Sequence, residues 1–127
     1  MQVRTLDEIT DTERDVRGDG WRARRHFVHA DGLGFSLSET TVDAGREMHV
    51  WYKHHQEACY VIEGAAEITE RDTSRVHRIG PGDAYAPGQD RHAIRVLEPL
   101  RLVCVFKPAL TGQETHDADG SYPLPEG

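Results

Sequence analysis

Between Gly45 and His92 the chain carries, in order, Gly45, Glu57 and Gly64, then the turn Pro81-Gly82-Asp83, Tyr85, Pro87 and His92. A carboxylate and an imidazole are common metal ligands and can also move protons. Each residue has an ordinary reading as well. Most glutamates are solvated, and Glu57 stands at a strand start. An isolated tyrosine such as Tyr85 is usually half-buried with its hydroxyl satisfied. His92 is one of eight histidines, most of which must do something else, and His26, His29 and His77 read as surface or structural residues.

Such groups act together only if the backbone aims them at one place. Short β-branched or alternating runs recur between turn signals at residues 21–29, 34–42, 49–52, 58–62, 65–69, 76–79, 92–97 and 100–106. That spacing predicts an all-β single domain, a sandwich or barrel. Period-2 alternation then sorts side chains by face. Leu100, Leu102, Cys104 and Phe106 share one face. Trp21, Ala23, Arg25 and Phe27 share another, which brings a guanidinium beside an aromatic wall. Ser36, Ser38, Thr40 and Val42 form a face with three hydroxyls, odd for a core and natural for a polar pocket. The one helix signal is residues 6–11 behind Thr5, an N-cap with Glu8 three positions on. Gln2-Val3-Arg4-Thr5-Leu6 is strand-like, and from Pro108 the chain turns polar and rich in Pro and Gly.

At 127 residues the chain is long enough to bury roughly two-thirds of its unfolded surface without disulfide staples. No apolar run approaches the ~18 residues that span a bilayer, and the start Met1-Gln2-Val3-Arg4 lacks an apolar signal region, so the expectation is a cytoplasmic protein with no membrane partner. Cys59 and Cys104 lack C-x-x-C spacing and lie in apolar runs, which argues for reduced thiols. The net charge of −7 is spread without dense basic blocks, so no nucleic-acid partner is expected.

The glycines, Glu57, the Pro-Gly-Asp turn and His92 together resemble the two motifs that place metal ligands in a cupin, a jelly-roll β-barrel. The resemblance departs at one point. Trp51 and Lys53 stand where the first motif has its His-x-His pair. A narrower resemblance covers essentially the whole chain. Thr12-Glu13-Arg14-Asp15-Val16, Gly20-Trp21-Arg22, His49-Val50-Trp51-Tyr52-Lys53, Arg101-Leu102-Val103-Cys104-Val105-Phe106, Leu110-Thr111-Gly112 and Glu114-Thr115-His116-Asp117 are similar to the ectoine synthase family. This implies a hydro-lyase that closes N-γ-acetyl-L-2,4-diaminobutyrate to ectoine with loss of water, the last step in making that osmolyte. It also implies ferrous iron, Fe(2+), held by Glu57, Tyr85 and His92, which replaces the missing histidine pair.

On that reading Arg25 forks onto the substrate carboxylate, with Arg24 its competitor, Thr40 donates a hydrogen bond, and Trp21 with Phe106 walls the methylene and methyl groups. Core packing is the alternative for Trp21 and Phe106, and Cys104 reads equally as a substrate contact or a small hydrophobe. Tyr52, His55, Glu114 and His116 are candidates for proton transfer or orientation. Residues 1–107 are expected to form the barrel, preceded by the short N-terminal strand and helix segment, and residues 108–127 a lid over its open end. The family and the strand-like N-terminus imply a homodimer. Two rival classes share the barrel: a cupin of another reaction, such as an epimerase or dioxygenase, and a non-catalytic osmolyte sensor.

Overall fold

The computed structural model describes residues 1–123. One turn of helix, α1 (Leu6–Ile9), is followed by eight strands: β1 (Asp15–Gly18), β2 (Trp21–Phe27), β3 (Ser36–Val42), β4 (Glu47–Val50), β5 (Gln56–Glu70), β6 (Val76–Ile79), β7 (Ala84–Tyr85) and β8 (His92–Lys107). All the pairings are antiparallel.

β5 and β8 organise the molecule. Each fuses two of the runs expected from the sequence, 58–62 with 65–69 and 92–97 with 100–106, and each bends in the middle where the register slips between Val61 and Ala66. A Cβ on Gly64, whose φ is +90°, would lie 2.1 Å from the Pro99 carbonyl oxygen, so only glycine lets the two bends nest. The bend carries both strands from one layer to the other. The first layer runs β1-β2-β3-β8-β5, with β7 on β5; the second uses the other ends of β8 and β5, flanked by β4 and β6. Side chains from both layers meet in one core that includes Val61, Val96, Leu100 and Leu102, each at most 3% exposed. Truncating Leu100 to alanine there costs about 2–5 kcal/mol.

The expected all-β cupin architecture is therefore present, with one correction. The ladder does not close into a barrel: β1 and β6 end opposite layers and share no hydrogen bonds, so the molecule is a folded-over sheet whose layers end in β1 and β7 and in β4 and β6. The helix forms behind its capping box, Thr5 and Glu8 exchanging side-chain bonds of 3.2 and 3.3 Å, but stops at Ile9 because its C-cap Thr10 turns extended, with ψ 132°. Residues 2–5 form no strand within their own chain. Arg4 instead pairs with Asp31 at 2.6 Å, a carboxylate that Arg14 also holds, at 2.9 Å. Downstream of Lys107, Ala109 and Leu110 are packed into the core, 8% and 1% exposed, so the expected barrel–tail boundary falls within packed chain. Residues 124–127 of the expected lid lie outside the described residues.

Candidate metal and substrate site

Register sets the site before any side chain is considered. Across the first layer, Tyr85 on β7 stands opposite Cys59 on β5, Cys59 opposite Cys104 on β8, Cys104 opposite Ser38 on β3, and Ser38 opposite Arg25 on β2. Five residues far apart in sequence thus form one row across five strands. Two residues along, Glu57 faces Phe106, and on the other side Ala23, Thr40 and Leu102 make the next row. Strand spacing of about 4.8 Å and period-2 alternation put all of these on one inner face.

That face lines a narrow cavity of about 50 Å³. Trp21, Arg25, Thr40, Tyr52, Glu57, Tyr85, Cys104, Phe106 and His116 all contribute to its wall, so most of the residues singled out from sequence converge. Three of them stand elsewhere. His55 is buried behind the edges of the Phe106 and Tyr122 rings. His92 lines a neighbouring groove that shares Tyr85 with the cavity. Glu114 stands behind Arg25, its carboxylate accepting backbone N–H bonds of 2.7, 2.8 and 3.1 Å from Thr111, Gly112 and Gln113. Burial favours its neutral form, but these donors outweigh burial and hold it below the ordinary carboxylate range. Glu114 is thus a fixed anion and not a free proton carrier.

Arg25 is fully buried. Its Nη2 donates 2.8 Å to the Glu114 carbonyl, its guanidinium lies 5.5 Å over the Tyr122 ring, and Nε and Nη1 have no hydrogen-bond partner among the described residues. The Glu114 carboxylate lies 4.0 Å from Nη1 and balances the buried charge, and the two N–H groups left without a hydrogen bond on the cavity wall can receive a second anion. Arg24 is no competitor: its side chain points the other way, bonded to Glu39 and to Thr10.

The tail supplies the cavity's roof. Tyr52 Oη lies 2.7 Å from His116 Nε2, the His116 ring stacks on Tyr122 at 4.5 Å, and Trp21 meets His116 edge-on at 5.2 Å. Burial, aided by the nearby Arg25 charge, lowers the His116 pKa to about 4, so the imidazole is neutral at ordinary pH. Burial pushes the Tyr52 phenol well above its usual value. Trp51 and Lys53, at the positions of the absent histidine pair, fasten the mouth instead. Trp51 Nε1 donates to Gln89 O at 3.1 Å, and Lys53 pairs with Asp119 at 2.6 Å. Close approach of the tail also requires Gly120, where a Cβ would lie 2.1 Å from the His49 carbonyl oxygen.

Two buried atoms, Glu57 Oε1 and His92 Nε2, have no hydrogen-bond partner among the described residues. Buried polar groups are normally paired, and a carboxylate and an imidazole on either side of Tyr85 suit a divalent cation. The Tyr85 and His92 rings stand 6.4 Å apart. Burial raises the Glu57 pKa to about 7 and the Tyr85 pKa well above its usual value, so without a nearby positive charge both groups favour their neutral forms. Sequence reading missed Tyr122, which sits in an aperiodic segment and gives no signal. It also missed the ligand character of Cys59, although alternation from Glu57 would have placed both on one face.

A folded-over antiparallel sheet is the arrangement of cupins, and the solved RmlC-like cupin of Shewanella frigidimarina shares that fold at a TM-score of 0.60 and 21% identity over 72% of this chain and 79% of that one. The sequence matches the family model described as ectoine synthase over residues 1–126. L-ectoine synthase of Nocardia farcinica is 47% identical over 98% of this chain and 95% of its own, and that of Desulfosudis oleivorans 49% over 99% of each. The crystal structure of ectoine synthase from P. lautus superposes with a TM-score of 0.84 at 44% identity, covering 88% of this chain and 81% of that one. The chain belongs to the ectoine synthase family of hydro-lyases. Among its described residues no helix is long and apolar enough to cross a membrane.

Proposed function

We propose that this enzyme closes N-γ-acetyl-L-2,4-diaminobutyrate to ectoine with loss of water, using ferrous iron held by Glu57, Tyr85 and His92. The observation that carries the reading is the pairing, on one cavity wall, of a buried guanidinium with two free N–H groups and a buried carboxylate with a free oxygen. The first matches the substrate's carboxylate and the second a cation. Glu57, Tyr85 and His92 would hold the iron, which when bound would supply Lewis acidity toward the amide oxygen worth several kcal/mol.

The chain's own residues account for the other steps. Arg25 anchors the carboxylate, while Trp21, Phe106 and Tyr122 confine the methylenes so that the α-amine nitrogen meets the acetyl carbon. Six atoms close the ring, and holding them near that geometry contributes up to roughly 7–11 kcal/mol. Losing the α-ammonium proton to water costs on the order of 1 kcal/mol at neutral pH, so the amine reacts in its neutral form, while His116, a weak base at a pKa of about 4, orients the Tyr52 hydroxyl by donating Nε2–H to its oxygen. As the C–N bond forms and the C–O bond breaks, both protons of the neutral α-amine end on the carbonyl oxygen, which leaves as water; the Tyr52 hydroxyl passes them across by giving its own proton to the oxygen and taking one from the nitrogen. The 2.7 Å contact between Tyr52 and His116 supports this role. A roof of Trp21, His116 and Tyr122 keeps bulk water from competing with ring closure.

We further propose a homodimer. Val3, Leu33 and Phe35 are exposed, and Gln2 is tied to Asp31, beside that turn. The direct test is turnover: purified protein loaded with iron under anaerobic conditions should convert the acetylated diamino acid to ectoine, seen by NMR. Chelation should stop the reaction and Fe(II) restore it. No conversion by the iron-loaded protein would refute the assignment.

A further inference from the structure

We propose that Glu57, Cys59 and Cys104 form a separate, thiolate-rich position for a thiophilic divalent cation, Zn(II) or Cd(II), in the wall of the same cavity. Cys59 and Cys104 are register partners on β5 and β8, and Glu57 lies two residues before Cys59, so all three project from one face. The Sγ atoms are 3.1 Å apart, and both sulfurs and a Glu57 oxygen lie within 4.8 Å of one another, all buried. Glu57 Oε1, itself buried, has no other partner among the described residues.

Metal–sulfur bonds of about 2.3 Å at tetrahedral angles require sulfurs about 3.8 Å apart. Opening this pair by roughly 0.7 Å is a side-chain adjustment and leaves the ladder intact. Three protein ligands leave the fourth position facing the cavity. Thiolates select soft cations over Fe(II), whereas the carboxylate, phenolate and imidazole proposed for iron are harder donors. His92 is absent from the thiol cluster, and Glu57 is common to both positions. On the reading given above for iron, the two metals therefore exclude one another, because each needs the Glu57 carboxylate. The thiol position itself does not depend on that reading.

The test uses fully reduced, metal-free full-length protein and Cd(II) alone, followed by the ultraviolet thiolate-to-cadmium charge-transfer band. One equivalent of Cd(II) should saturate the band. Cys59→Ser and Cys104→Ser should each abolish it while the circular dichroism spectrum stays that of the wild type. His92→Ala should keep it. Preloading with Fe(II) should suppress it. A wild type without the band, a band that survives Cys59→Ser, or one lost in His92→Ala would each overturn the site. Should either serine variant fail to fold, X-ray absorption of the cadmium-loaded wild type decides: two sulfur neighbours support the proposal, and one or none rejects it. Failure of the iron reading alone would remove only the Fe(II) competition, leaving the cadmium band and its cysteine dependence unchanged.

Discussion

Replacing Arg25 separates substrate anchoring from metal chemistry. Its Nε and Nη1 have no hydrogen-bond partner among the described residues, the Glu114 carboxylate lying 4.0 Å from Nη1, and Arg25 lines the cavity. A hydrogen bond to a charged group contributes about 1.5–3 kcal/mol, so the two lost in Arg25→Ala amount to roughly 3–6 kcal/mol, or ~10²–10⁴-fold in kcat/KM. Because the carboxylate does not change during ring closure, the loss should fall on KM, with iron content close to wild type. A substrate analogue lacking the carboxylate completes a double-mutant cycle. The wild type should lose as much with the analogue as the variant loses with the true substrate, and the variant should lose little more with both changes. The Glu114 carbonyl also loses its donor in the variant, so a thermal melt must show that the fold persists. An unchanged KM, or additive losses in the cycle, would refute carboxylate anchoring by this residue. The role could not then pass to Arg24, which Glu39 and Thr10 hold on the opposite face.

Tyr85→Phe keeps the ring against Cys59 and His92 and removes only the oxygen; it should lose bound iron and cyclisation with the melting temperature changed little, whereas retained iron by metal analysis would exclude a phenolate ligand. His116 makes stability fall in acid. Its pKa is about 4 folded and 6.5 unfolded, so between these values the unfolded chain binds the extra proton, and stability present at neutral pH is lost as pH drops through that window. The full shift corresponds to about 3 kcal/mol, which partial exposure reduces to about 2 kcal/mol. Denaturant titrations should show this slope flattened in His116→Gln, and an identical slope in the variant would contradict it. For the dimer, light scattering at micromolar concentration should give twice the chain mass, and deletion of residues 1–5 should shift it toward monomer; a monomer mass for the intact chain would rule the dimer out.

Much of this protein was legible in one dimension because strands have a period of two. Alternation alone groups Leu100, Leu102, Cys104 and Phe106 on one buried face of their strand, and Ser38 and Thr40 on one face of theirs, which lines the cavity. The helix turn at Leu6 follows from Thr5 and Glu8, since a capping box is a local interaction. What alternation cannot encode is which strand lies beside which. The row from Tyr85 through Cys59, Cys104 and Ser38 to Arg25 exists only because β5 and β8 pair along their length and bend at Gly64 against Pro99. The Cys59–Cys104 contact is therefore invisible to spacing. The fate of Glu114 is tertiary as well: its type suits proton transfer, yet three backbone N–H groups and Arg25 fix it as an anion. Tyr122 reaches the cavity because Gly120 lets the tail press against β4, a long-range approach that no periodicity announces. Local rules fix the face a side chain presents; the pairing of distant strands, set by burial of the whole core, decides what it meets there.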